Sequence, residues 1–336
     1  MSVQNSADAA DELPGETVDT VVIGGGAAGL NGALMLARSR RSVVVIDSGT
    51  PRNAPAEAMH GFIVLDGIPP GELLERGREQ VRHYGGRVVF GEVTSAGAAA
   101  PAPDGDLRFT ITLADGQRAT ARRILVATGL RDVLPEVPGL AEHWGHSVVH
   151  CPYCHGWEVR DERIGILAVG PASVHHALLF RQLTDDLVYF TCGTGVDEDT
   201  RARFTARNIR IVDATVQEVI NSDEGGIAGV RLADGTFVAR RILAVATRMQ
   251  ARAEGLEGLK LPMEDLPDNM GCRFASGLAG TTEVPGVWVA GNATDLTAQV
   301  GASAAAGALA GSHINAHLAT ADTSAALAAA QAGTTT

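Results

Sequence analysis

Cysteine is scarce in this chain, with four among 336 residues, and two of them, Cys151 and Cys154, fall in one turn. Cys192 and Cys272 stand alone, so no second C-x-x-C exists to complete a four-thiolate zinc site. Long apolar runs are lacking too: none reaches the roughly 20 residues that span a bilayer. Positive charge is short, with 27 Lys and Arg against 39 Asp and Glu and a formal net charge of -12. That balance argues against nucleic acid or an anionic membrane as partner, since both call for basic patches. Met1 to Glu16 is polar and acidic and lacks the basic and apolar segments of a signal peptide. The expectation is a cytoplasmic protein, a setting in which a C-x-x-C is more often catalytic than structural.

Apolar residues make up 45% and charged ones 20%, the balance of a globular protein. The length is about twice that of a typical domain, so two domains are expected. Val18 to Ile23 is a short apolar run followed by Gly24-Gly25-Gly26-Ala27-Ala28-Gly29 and a helical stretch from Leu30 to Arg38. This is G-x-G-x-x-G between strand and helix: Gly24 allows the tight turn, Gly26 lets backbone N–H groups approach a pyrophosphate, and Gly29 lets helix and strand pack closely. Ser42 to Ile46 reads as the next strand and ends at Asp47, where a carboxylate can accept from ribose hydroxyls. Arg52, Asn53 and His60 follow in a loop near the course of such a ligand; Arg52 reads equally well as a surface charge.

Val88 to Thr94, Leu107 to Leu113 and Gln117 to Arg122 read as strands of a hairpin-rich sheet, with Asp115-Gly116 a turn. Ile124 to Val126 then enters Ala127-Thr128-Gly129, which brings backbone close to a nucleotide or into a domain crossover. Arg163 to Val169 and Val174 to Leu183 repeat the strand–turn–helix unit, but its fingerprint is eroded to Gly170, Ala172 and His175. Pro171 removes a backbone N–H from that turn. The next strand, Leu187 to Thr191, ends in Cys192-Gly193-Thr194-Gly195, without the arginines that pair with a 2′-phosphate. A fold without a tight NADPH site is the expectation. Gly291-Asn292 closes a further strand, and Gln299-Val300 precedes a small-residue helix, Gly301 to Leu318, whose glycines and alanines suit close packing, a ligand at its N-terminus, or both. Ala319 to Thr336 reads as a frayed tail.

Two thiols separated by two residues can close a small disulfide ring and so hold or release two electrons. Beside a nucleotide fingerprint, the pair reads first as a redox centre. Half of a zinc site shared with His150 and His155 is the alternative, and no metal is expected. Thiols react as thiolates, so His155 is the first candidate base and His150 the second; a satisfied or surface histidine is the bland reading of each.

In these features, over about residues 18 to 318, the chain resembles the low-molecular-weight thioredoxin reductase flavoproteins. Within them it is most similar to the small-molecule dithiol oxidases of gliotoxin and holomycin type, on Cys-Pro-Tyr-Cys-His and the eroded second turn. The resemblance implies an α/β fold of two Rossmann-like nucleotide-binding domains. Residues 18–130 plus 253–318 would bind FAD, residues 131–252 would form an inserted NADPH-type domain carrying the C-x-x-C, and residues 1–17 and 319–336 would be flexible tails. It further implies that Gly24, Gly26, Ala27, Ala28 and Gly29 hold the pyrophosphate and Asp47 the ribose. Arg52, Asn53, His60, Val93, Ala127, Thr128, Gly129, Gly291, Asn292, Gln299 and Val300 would complete the cofactor site. Cys154 would face the flavin as the charge-transfer thiolate and Cys151 would meet the substrate sulfur. The family has Asp where this chain has Asn292.

The activity so implied is oxidation of a small-molecule, natural-product dithiol to its disulfide, with O2 as acceptor giving H2O2, in a homodimer. An NADPH-dependent disulfide reductase, a ferredoxin-fed reductase and a non-catalytic flavin sensor are the alternatives.

Overall fold

The computed structural model describes residues 12–333, so the expectations for residues 1–11 and 334–336 lie outside the described residues. Val18–Ile23 (β1) is buried along nearly its whole length, the pattern of a parallel strand covered on both faces. Ala27–Arg38 (α1), Val43–Asp47 (β2), Pro70–His83 (α2), Arg87–Phe90 (β3), Val93–Ala98 (β4), Phe109–Leu113 (β5) and Arg118–Val126 (β6) follow. Their sheet runs in the order β3-β2-β1-β6-β5-β4. β1, β2, β3 and β6 are parallel, while β5 and β4 form an antiparallel meander on one edge.

Two sequence assignments are corrected here. Val88 to Thr94 is two strands, because the chain turns at Gly91, whose N–H donates to the Asp47 carbonyl at 2.9 Å, to leave β2 for β5. Gln117 to Arg122 and Ile124 to Val126 are one strand. The charges of Arg122 and Arg123 break the apolar pattern but are neutralised by Asp19, Asp106 and Asp322 at 2.6–3.0 Å.

The chain then crosses over through Leu130–Val133 (β7) into a second unit. It comprises Val148–Val149 (β8), Pro152–His155 (α3), Ile164–Leu167 (β9), Ala172–Phe180 (α4), Leu187–Phe190 (β10), Glu198–Ala206 (α5) and Arg210–Val212 (β11). Val216–Asn221 (β12), Ile227–Leu232 (β13) and Phe237–Ala239 (β14) form a three-stranded meander before Ile242–Val245 (β15). The sheet β11-β10-β9-β15-β8 is parallel throughout. Arg248–Ala251 (β16) runs antiparallel to β7 and carries the chain back, joined by Met263–Leu266 (β17) and Gly271–Phe274 (β18). The fold is thus α/β with two Rossmann-like units, as expected.

Val287–Val289 (β19) completes the first sheet beside β6, and Val300–Gly333 (α6) closes the chain. The helix does not end at Leu318: it runs on to Gly333, which corrects the expectation of a frayed tail at 319. Alanine has the strongest helix propensity of any residue, and Asp322 ties the extension down through Arg41 at 2.7 Å and Arg122 at 2.6 Å. The glycine stripe of α6 is a packing device, since Gly307 and Gly311 face the backbone of Ala28 and Gly32 on α1. Among the described residues no helix is long and apolar enough to cross a membrane.

Candidate active site

The turn between β1 and α1 is shaped by what its glycines lack. Gly24 has φ +108°, and a Cβ there would lie 2.3 Å from the Ala127 carbonyl oxygen. A Cβ at Gly29 would lie 1.9 Å from the Gly24 carbonyl oxygen, so Gly29 serves helix–strand packing and does not line the cavity. At Gly26 a Cβ would meet nothing within 4 Å, which leaves an open cradle at the helix N-terminus. The first N–H groups of α1 have no partner within the helix, and a diphosphate would satisfy them.

A cavity of about 1080 Å³ runs from this turn to the disulfide. It is walled by Gly24, Gly26, Ala27, Ala28, Asp47, Asn53, Val93, Ala127, Thr128, Gly129, Asn292, Gln299 and Val300. Gly291 is not on the wall; its φ of +73° and a would-be Cβ 2.7 Å from the Ala28 Cβ make it a packing position. Asp47 is 8% exposed and accepts from the Gly49 N–H at 3.1 Å. Asn292 turns its amide N–H groups onto the carbonyls of Asp295, at 2.9 Å, and Ala298, at 2.8 Å, and so shapes the loop before Gln299.

Arg52 and His60 line the same cavity, with their side chains committed elsewhere. The Arg52 guanidinium grips the Asp132 carboxylate through two bonds, of 2.6 and 2.7 Å. His60 sits between Asp66 at 3.3 Å and Glu158 at 3.4 Å.

At the far end, Cys151 and Cys154 form a disulfide with Cα atoms 5.2 Å apart. Pro152 opens the single turn of α3, and the Cys154 N–H donates to the Cys151 sulfur at 3.0 Å. Both cysteines, His150 and His155 face the cavity. His155 has neither ring nitrogen paired, and burial, partly offset by Glu158, holds its pKa below the usual 6.5. His150 is held: its Nδ1 lies 3.0 Å from the Val245 carbonyl and 3.3 Å from the Thr247 hydroxyl. Burial first, and Arg52 second, lower its pKa. His176 is buried beneath, its Nε2 bonded to the His150 carbonyl, so this helix residue anchors the strand that leads into Cys151.

The second turn differs from the first. Pro171 occupies the N-cap position of α4, and a Cβ on Gly170 would lie 3.6 Å from the Asp268 carbonyl oxygen. Asp268 and Asn269 both have φ of +56°. The Asp268 carbonyl thus stands at contact distance from the second turn, whose Gly170, Ala172 and His175 line the same cavity as the first turn.

Asp132, Thr247 and the 268–270 loop escaped the sequence reading because no spacing ties them to the cysteines. A signal for Thr247 was present: Ala246-Thr247 repeats Ala127-Thr128. Each threonine closes its unit onto the opposite crossover, Thr128 to the Arg252 carbonyl at 2.7 Å and Thr247 to the Asp132 carboxylate at 2.6 Å. Among the described residues, no group of three or more His, Cys, Asp or Glu is arranged to hold a metal.

The pattern described as pyridine nucleotide-disulphide oxidoreductase matches residues 18–312. The chain belongs to that family. It is a thioredoxin reductase-like oxidoreductase, as its relatives within the family are named. Thioredoxin reductase tcpT of Claviceps purpurea is 34% identical over 249 residues, 72% of this chain and 77% of its own length. Thioredoxin reductase sirT of Leptosphaeria maculans is 29% identical over 311 residues, 88% of this chain and 93% of its own. Among solved structures, that of HlmI is 42% identical with a TM-score of 0.88, covering 96% of this chain and 99% of its own. An oxidoreductase from Agrobacterium tumefaciens is 32% identical with a TM-score of 0.83, covering 91% and 99%.

Proposed function

We propose that this oxidoreductase is an FAD-dependent oxidase of small-molecule dithiols. The observation that carries the reading is one cavity joining the Gly24–Gly29 turn to the Cys151–Cys154 disulfide, beside a second dinucleotide turn that has lost a backbone N–H to Pro171. The residues fit FAD: the Gly26 cradle and the α1 N-terminus suit its diphosphate, Asp47 its ribose, and the Gln299–Val300 end of α6 its ring. When bound, FAD would take the electron pair of the reduced cysteines and pass it to O2, giving H2O2. On this reading residues 18–130 and 253–318 form the FAD domain and 131–252 the inserted one, in a cytoplasmic homodimer.

The protein's own part is thiol exchange. One substrate thiol gives its proton to His150 and attacks the Cys151 sulfur; the Cys151–Cys154 bond breaks and Cys154 leaves as thiolate. The second substrate thiol then attacks the sulfur bound to Cys151, releasing the substrate disulfide, and its proton goes to the departing Cys151. Two electrons and two protons have passed to the enzyme. His150 is preferred to His155 as acceptor because a third group orients its ring, the arrangement that an efficient base requires.

A reductase using NADPH is the competing reading, favoured by the names of the curated relatives. Purified protein given dithiothreitol in air should produce peroxide, and NADPH added without air should leave the flavin band intact. NADPH bleaching with no peroxide from the dithiol would replace the oxidase reading with the reductase.

A further inference from the structure

We infer that Asp132, acting through Thr247, is the positioning residue that keeps the proton of His150 on Nδ1 and so leaves Nε2 as the acceptor. The role rests on the dithiol-oxidising reading; the tautomer does not. Asp132 lies on β7, 4% exposed at its side chain, and takes two bonds from Arg52. Burial would raise its pKa, but the Arg52 and Thr247 bonds outweigh it, and the carboxyl stays ionised. An ionised carboxylate has no proton to give, so the 2.6 Å contact with Thr247 uses the threonine's only hydroxyl proton.

The Thr247 oxygen then meets His150 with lone pairs alone. Nδ1 of His150 has this oxygen at 3.3 Å and the Val245 carbonyl, which can only accept, at 3.0 Å. Two acceptors on one nitrogen place its proton there. The Thr247 N–H, 3.4 Å away, is a longer competitor.

The topology builds this arrangement. β8 and β15 are parallel neighbours with Val149 opposite Ala244, so His150 and Thr247 leave the same end of the sheet together. β7 pairs with β16, which starts one residue after Thr247 and brings Asp132 across. The charged and titratable groups around His150 come from four elements: Arg52 from the loop after β2, Asp132 from β7, His176 from α4 and His155 from α3. The negative charge of Asp132 raises the His150 pKa and the positive charge of Arg52 lowers it.

The test is nitrogen NMR of the histidine-labelled full-length protein, with His150 assigned by the signal lost in His150→Gln, beside the pH profile of dithiol oxidation. In the native protein His150 should be protonated at Nδ1. Thr247→Val should give mixed tautomers and lower kcat about twofold, in proportion to the Nδ1-protonated fraction lost, with KM unchanged, while Thr247→Ser restores both. Asp132→Asn should move the His150 titration and the acid limb of the profile to lower pH, and Arg52→Gln should move both to higher pH. Loss of packing alone would not displace the two variants in opposite directions. A native His150 protonated at Nε2, or Asp132→Asn and Arg52→Gln titrations that coincide, would overturn the inference. Absence of peroxide from the native protein would sink the oxidase reading and leave the NMR titration to decide the tautomer.

Discussion

Gly307 of α6 packs so closely on Ala28 of α1 that a Cβ on Gly307 would lie 1.9 Å from the Ala28 carbonyl oxygen. Ala28 also walls the cavity, so this helix contact fixes the placement of the glycine turn. Gly307→Ala should therefore lower stability by about 3 kcal/mol and weaken flavin retention together. Urea unfolding and the absorbance of the gel-filtered protein measure both. An alanine variant as stable as the parent would mean that the two helices can part without cost.

Gly24 and Gly26 separate folding from ligand binding. Gly24→Ala puts a side chain at φ +108° against the Ala127 carbonyl and should cost about 3 kcal/mol of fold stability. Gly26→Val places its Cβ where nothing lies within 4 Å and should cost only about 1 kcal/mol as a cap change. It fills the cradle, however, so flavin content should fall to background in a folded protein. Full flavin content in Gly26→Val would move the diphosphate elsewhere.

The glycine turn was legible because three positions answer three separate demands, each of which only glycine meets. The cysteine pair was legible because both sulfurs sit within one turn of chain. The Arg52–Asp132–Thr247–His150 chain was not, since its members come from four separate stretches and meet only once both crossover strands pair. Arg122 and Arg123 hid the continuity of β6, their charges looking like a strand end until Asp19 and Asp106 are brought beside them. The Ala-rich C-terminus is ambiguous by composition, and its Asp322 contacts, made 281 and 200 residues away in sequence, are long-range facts.

Cys151 and Cys154 act as one group, so their losses should not add. Cys151→Ser, Cys154→Ser and the double variant should each abolish dithiol-dependent peroxide production to the same background. Each should remain folded and flavin-bound, because neither sulfur lies at the Gly24–Gly29 turn. Peroxide from dithiothreitol at the parent rate in either single variant would show that the disulfide is bypassed.

His176 gives the protein an acid-side weakness. Burial pulls its pKa from 6.5 down to about 4, so the folded state keeps it neutral where the unfolded chain takes up a proton. A depressed histidine contributes its full stability above about pH 6.5 and loses it as pH falls towards 4. Between pH 7.5 and 5 that single group accounts for about 2 kcal/mol. His176→Gln retains an N–H able to reach the His150 carbonyl but has nothing to protonate. Urea unfolding at the two pH values should show the parent losing about 2 kcal/mol more than the glutamine variant. Lowered His150 adds to the same window in both proteins and cancels in the comparison. Equal losses would mean that His176 takes up its proton in the fold as readily as in the unfolded chain.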